Sequence, residues 1–229
     1  MFDLIKLEQR TGVSFKNAEL CKEAFTHKSF AAEHNLKYDN QRLEFLGDAV
    51  VQIVLTDEIY KRYPDVQEGT LTKMRSALVN QEALAAFARD LQLGEFLMQG
   101  HGEQAQHGED RESTISDLFE AFIGAIYLDS GLEVAKNFFL KELYKLHPEP
   151  RDALVSLNPK GALQEWTQHL GRGVPDYKLV SVTGPGHNLV YEVELAIDGY
   201  PPVRAKATNR RLAEVEAARI LLTKIDIKL

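Results

Sequence analysis

The chain has 229 residues, 44% of them hydrophobic and 27% charged, with a formal net charge of −7. That length holds one large domain, or one of roughly 150 residues with a smaller companion, and the composition excludes a disordered chain, which would be poor in apolar residues and biased in charge. No stretch approaches the ~20 apolar residues that cross a bilayer.

The first residues, Met1-Phe2-Asp3-Leu4-Ile5-Lys6, lack the basic and apolar regions of a secretory signal, so a cytoplasmic protein is expected. Cys21 is the only cysteine. It cannot form an intrachain disulfide, which agrees with a reducing compartment, and its apolar neighbours mark it as packing rather than nucleophile. A negative chain is a poor generic binder of nucleic acid, because phosphate affinity comes mainly from Lys and Arg. The charge is unevenly spread, however: residues 1–151 hold 17 Lys and Arg against 25 Asp and Glu, a balance of −8, and residues 152–229 hold 10 against 9, a balance of +1.

From residue 1 to about 146 the apolar spacing is helical, with no convincing alternating run. Asp39-Asn40-Gln41-Arg42-Leu43-Glu44-Phe45-Leu46-Gly47-Asp48 opens a helix that runs to Pro64. Apolar positions nearly surround it, which predicts a largely buried helix. Glu44 and Asp48, four apart, lie side by side on it. A second and more apolar helix, capped near Ser113, carries Asp117 and Glu120 three apart. Gly124 continues that face without a side chain, leaving room for a close neighbour.

Residues 147–156 begin His147-Pro148-Glu149-Pro150. Each proline holds its predecessor extended, so this segment reads as a linker without structure of its own. Beyond it Lys160 to Leu170 is helical, and a short strand is expected around Tyr177 to Thr183. Leu189, Tyr191, Val193, Leu195 and Ile197 then alternate with more polar residues, as in a half-buried antiparallel strand. Asp198-Gly199 is a hairpin signal, Val203 to Ala207 a third strand, and Arg210 to Lys224 a helix capped by Thr208 or Asn209 with Ala213, Ala217, Ile220 and Leu221 on one face. The expectation is an α+β chain: an all-α domain over 1–146, a linker over 147–156 and a small α-β-β-β-α domain over 157–226.

If the two acidic helix faces meet, four carboxylates converge, and unpaired charges there would cost on the order of several kcal/mol each. Divalent cations would neutralise them. Hard oxygen ligands without His or Cys select Mg²⁺ or Mn²⁺ over zinc, a set suited to phosphodiester hydrolysis. Spacing alone leaves open the alternative that Glu44, Asp48, Asp117 and Glu120 are separate solvated positions.

Arg42-Leu43-Glu44-Phe45-Leu46-Gly47-Asp48-Ala49 resembles the signature of the ribonuclease III family. Asp117-Leu118-Phe119-Glu120-Ala121 with Gly124-Ala125-Ile126-Tyr127-Leu128-Asp129 resembles that family's second acidic motif. Thr26-His27-Lys28-Ser29-Phe30 and the run from Glu68-Gly69 to Asn80 also match, so with the C-terminal module the resemblance spans nearly the whole chain. It implies an all-α endonuclease domain that cuts double-stranded RNA, with Glu44, Asp48, Asp117 and Glu120 binding Mg²⁺ and with Asp48 and Glu120 tied most directly to hydrolysis. Glu68 matches a further acidic position. A homodimer is implied too, with Phe45 at the subunit contact and the two sites cutting opposite strands in a stagger that leaves 5′-phosphate and 3′-hydroxyl ends. Processing of ribosomal RNA precursors and structured messenger RNAs is the implied role. The alternative is a catalytically silent duplex-RNA-binding regulator of the same fold. Gln41 departs from the family, which commonly has Glu there, and His27 is read as a structural hydrogen-bonding residue.

The α-β-β-β-α order resembles the double-stranded-RNA-binding fold. A-form RNA hides its bases in a deep, narrow groove, so a duplex reader grips phosphates and 2′-hydroxyls by shape. Arginines at a helix start oppose the macrodipole and suggest an anionic ligand there. The resemblance places Lys206, Asn209, Arg210 and Arg211 on phosphates, and Gln164, Glu165 and His187 in the two minor-groove contact regions. Glu214 and Glu216 follow the basic cluster closely, so modest affinity is expected.

Overall fold

A computed structural model of the chain describes residues 2–105, 108–185 and 189–225. The chain divides into two units between Pro150 and Arg151. In the first, helices α1 (Leu4–Thr11), α2 (Ala18–Ala24), α3 (Lys28–Glu33), α4 (Gln41–Arg62), α5 (Glu68–Leu78), α6 (Gln81–Asp90), α7 (His101–Gln104), α8 (Glu112–Ser130) and α9 (Leu132–Leu146) follow one another.

The axis of this unit is α8. From Thr114 to Ile126 every residue is buried except Asp117 and Glu120, which are half-buried. Around it, Phe119 stacks on Phe87 at 5.3 Å between ring centroids, and Phe122 meets Phe25 and Phe138 edge-on at 5.5 and 5.4 Å. Buried aromatics of this size supply much of a core's stabilisation. The helix begins at Glu112 behind Arg111, which offers no side-chain cap, so the expected start near Ser113 moves one residue back.

Helix α4 crosses α8 backbone against backbone. A Cβ on Gly47 would lie 1.8 Å from the Glu120 carbonyl oxygen, and one on Gly124 would lie 2.3 Å from that of Leu43. Only glycine fits at either position, and this mutual approach brings the two acidic faces together.

The expectation that α4 is largely buried holds for one side only. Leu43, Val50, Val51, Val54, Leu55 and Ile59 are in the core, whereas Phe45, Ile53 and Tyr60 are 81%, 56% and 70% exposed. Hydropathy registers which residues are apolar, but not which side of a helix the rest of the fold covers.

The second unit holds α10 (Asp152–Leu157), α11 (Pro159–His169), the strands β1 (Asp176–Thr183), β2 (Val190–Ile197) and β3 (Tyr200–Ala207), and α12 (Arg210–Lys224). The short helix α10 occupies the part of the linker expected to lack structure. Its two prolines precede it, and neither interrupts the turn. The strands form an antiparallel sheet in the order β1-β2-β3, with Gly199 at φ +84° turning the chain between β2 and β3. Val193, Leu195, Ile197, Val203 and Ala205 face α11 and α12 across a core completed by Leu163, Ala217, Ala218, Leu221 and Leu222.

Candidate active site

Glu44, Asp117 and Glu120 each offer a carboxylate oxygen, and the three oxygens lie within 4.8 Å of one another. Three of the four predicted acidic residues thus converge. Asp48 lies one turn along α4, and its Oδ1 accepts a hydrogen bond from Gln52 Nε2 at 2.8 Å. It stands outside the tight trio but acts on it electrostatically.

Glu120 feels the full cost of this arrangement. Burial, and then the charges of Asp48, Asp117 and Glu44, push its carboxyl up to about 8. Glu44 is raised by burial and by Asp117, with Lys28 opposing. Asp117 is raised by burial against a counteracting hydrogen bond from Ser116. Three carboxyls displaced in one direction, with no cation close enough to pair with them among the described residues, form a site whose charge demands a partner. All-oxygen donors at this spacing fit a hard divalent cation.

Glu68, by contrast, opens α5 as an exposed residue that accepts a hydrogen bond from Thr72 Oγ1. Gln41, the first residue of α4, lines a small polar pocket with His27, Lys28, Glu44 and Asp117. Sequence reasoning reserved His27 for structure and did not single out Lys28. Their link to the site is visible only once α3 is placed beside α4.

In the second unit Asn209 caps α12 by accepting the Leu212 N–H at 2.9 Å. Arg210 and Arg211 follow at its exposed start. Arg210 Nε donates to Glu214 at 2.9 Å, whereas Arg211 has no ion-pair partner among the described residues. Lys206 points to the sheet face away from the helices, 3.8 Å from Glu192, beside Arg204, which pairs with Glu194 at 2.8 Å. Gln164 is exposed and Glu165 half-buried on α11. His187 lies outside the described residues. Arg204, Lys206 and Arg210 of this surface thus each lie beside a glutamate.

A helical unit with a half-buried carboxylate cluster, followed by an α-β-β-β-α unit with a basic helix start, is the architecture of a nuclease joined to a duplex-RNA reader. Comparison with known proteins agrees. A family model described as Ribonuclease-III-like matches residues 17–146, and one described as Double-stranded RNA binding motif matches residues 159–225. The chain is 42% identical over 215 residues to Ribonuclease 3 of Streptococcus gordonii, covering 93% of this chain and 92% of that one. It is 44% identical over 208 residues to Ribonuclease 3 of Symbiobacterium thermophilum, covering 91% and 88%. The crystal structure of the nuclease domain of ribonuclease III from Campylobacter jejuni is similar at a TM-score of 0.61 and 40% identity, covering 65% of this chain and 99% of that one. The chain belongs to the ribonuclease III family and is an endoribonuclease that acts on double-stranded RNA.

Proposed function

We propose that this enzyme hydrolyses duplex RNA with Mg²⁺, for which Mn²⁺ can substitute, and leaves staggered 5′-phosphate and 3′-hydroxyl ends. The catalytic domain is assigned to residues 1–146 and the RNA-binding domain to 157–226, with 147–156 between them. Glu44, Asp117 and Glu120 would hold the cation, with Asp48 beside them. Asp48 and Glu120 are the residues assigned most directly to hydrolysis. When bound, a divalent ion supplies activation of the attacking water and stabilisation of the leaving oxygen. A cation held there would favour the ionised Glu120, offsetting the burial and the neighbouring negative charges that raise its pKa. Arg210, Arg211, Lys206 and Asn209 would take phosphates, and Gln164, Glu165 and His187 the minor groove, so that the duplex is held by shape.

A homodimer supports cutting of both strands. The exposed Phe45, Ile53 and Tyr60 on α4 form an apolar stripe suited to a second copy, and one of the solved Campylobacter jejuni nuclease-domain structures is described as showing flexibility in a region involved in dimer formation. Ribosomal RNA precursors and structured messenger RNAs are the proposed substrates, processed in the cytoplasm. No helix among the described residues is long and apolar enough to cross a membrane.

The observation that carries the reading is the convergence of Glu44, Asp117 and Glu120 where their charges repel. The test is cleavage of an end-labelled duplex with Mg²⁺ and with EDTA, beside a single-stranded control and Glu120→Gln. Staggered products only with duplex, metal and intact Glu120 are expected. Tight binding without cutting in Mg²⁺ would refute the proposal in favour of a silent RNA-binding regulator.

A further inference from the structure

His27 holds a fixed backbone position. The Met98 N–H donates to the Phe25 carbonyl at 2.8 Å, the His27 N–H donates to the Met98 carbonyl at 3.0 Å, and the Asn40 N–H donates to the Thr26 carbonyl at 2.8 Å. These bonds tie the segment before α3 to the start of α4, where Glu44 resides.

The imidazole does two things there. Its Nδ1 caps α3 by accepting the Ser29 backbone N–H at 3.3 Å. A backbone amide can only donate, so Nδ1 carries a lone pair. The Ser29 hydroxyl, 2.7 Å from the same nitrogen, accepts the Gly100 N–H at 2.9 Å and therefore turns its own proton toward Nδ1. A neutral imidazole with Nδ1 so occupied has its proton on Nε2. Partial burial holds the ring's pKa below the ordinary histidine value, which favours that neutral form. Nε2 has no hydrogen-bond partner among the described residues. The ring lines the pocket shared with Lys28, Gln41, Glu44 and Asp117, about 30 Å³ in volume. That is room for a water molecule or two.

We propose that His27 is a positioning residue for the divalent cation: its Nε2–H donates to a water of the cation's hydration shell held in this pocket, with Ser29 fixing the tautomer. The inference rests on the metal-dependent reading of the acidic site. It assigns the Thr26-His27-Lys28-Ser29 segment a part beyond capping α3. Outer groups that orient ligands in this way change metal affinity about 10–100-fold when removed.

Two full-length variants separate the roles. His27→Asn keeps a good cap, because its Oδ1 reaches the Ser29 N–H, but no donor extends to the Nε2 position. His27→Gln places an amide nitrogen near that position and forfeits the cap. Mn²⁺ affinity is measured without RNA by the loss of the free-ion paramagnetic resonance signal, and stability by thermal unfolding. The expected result is a roughly tenfold or greater weakening of Mn²⁺ binding in His27→Asn with an unchanged unfolding midpoint, and near-parental binding with a lowered midpoint in His27→Gln. Parental Mn²⁺ affinity in His27→Asn would overturn the proposal and leave the ring a cap alone. A parent enzyme that binds no Mn²⁺ would overturn the metal reading as well.

Discussion

Replacing Glu120 by glutamine is expected to stabilise the cation-free nuclease domain at alkaline pH while abolishing metal-dependent cleavage. The gap between about 8 in the folded protein and the ordinary 4.5 corresponds to ~5 kcal/mol at ~1.4 kcal/mol per pH unit. Glu120 is only half-buried, so water screens part of this and about 1–3 kcal/mol is the realistic contribution. The sign follows from proton counting. The folded state keeps a proton on Glu120 that the unfolded chain has released, so stability is fully present below about 4.5 and is lost as pH rises through about 8. Glutamine has no charge to lose. Glu44 and Asp117, raised in the same direction, leave the variant a smaller slope of the same sign. The assay is urea unfolding in EDTA at pH 5, 7 and 8.5, followed by circular dichroism at a helical wavelength, because the single tryptophan, Trp166, lies in the other unit. Parent and variant should agree near pH 5 and diverge by about 1–3 kcal/mol at pH 8.5. Added Mg²⁺ should restore the parent, since it binds the folded state, and leave the variant nearly unmoved. A variant no more stable than the parent at pH 8.5 would refute the claim that the cluster stores electrostatic strain.

Gly47→Ala and Gly124→Ala each drive a methyl against a backbone carbonyl that cannot swing aside, so each should cost about 3 kcal/mol or more in denaturant unfolding and lose cleavage. A cost under about 0.5 kcal/mol would mean that the helices slide apart freely. Phe45→Asp places a charge on a side chain 81% exposed in one subunit. It should convert a dimer to monomers in sedimentation without loss of helical signal. Arg211→Ala removes a cation unpaired among the described residues, and should weaken duplex binding while lowering the slope of log affinity against log salt by about one. An unchanged slope would place Arg211 off the phosphates.

The amino-acid sequence by itself determined most of the local structure. Periodicity located α4, α8 and α12, with Asn209 capping the last of them, alternation located β2, and Asp198-Gly199 located the hairpin, because these signals depend on neighbours within a few residues. The four acidic residues were legible for the same reason: spacings of three and four decide which carboxylates share a helix face. The short helix α10 escaped notice because two prolines nearby dominate a local reading. Only the tertiary structure decided which acidic faces meet. Gly47 and Gly124 lie far apart in the chain and allow the contact only as a pair, and their crossing gathers Glu44, Asp117 and Glu120 while leaving Asp48 one turn away. It also decided that Phe45, Ile53 and Tyr60 are left exposed, and that His27 faces the acidic pocket. Burial and desolvation arise from packing between distant segments, so the displaced pKa of Glu120 has no signature in any short stretch of residues.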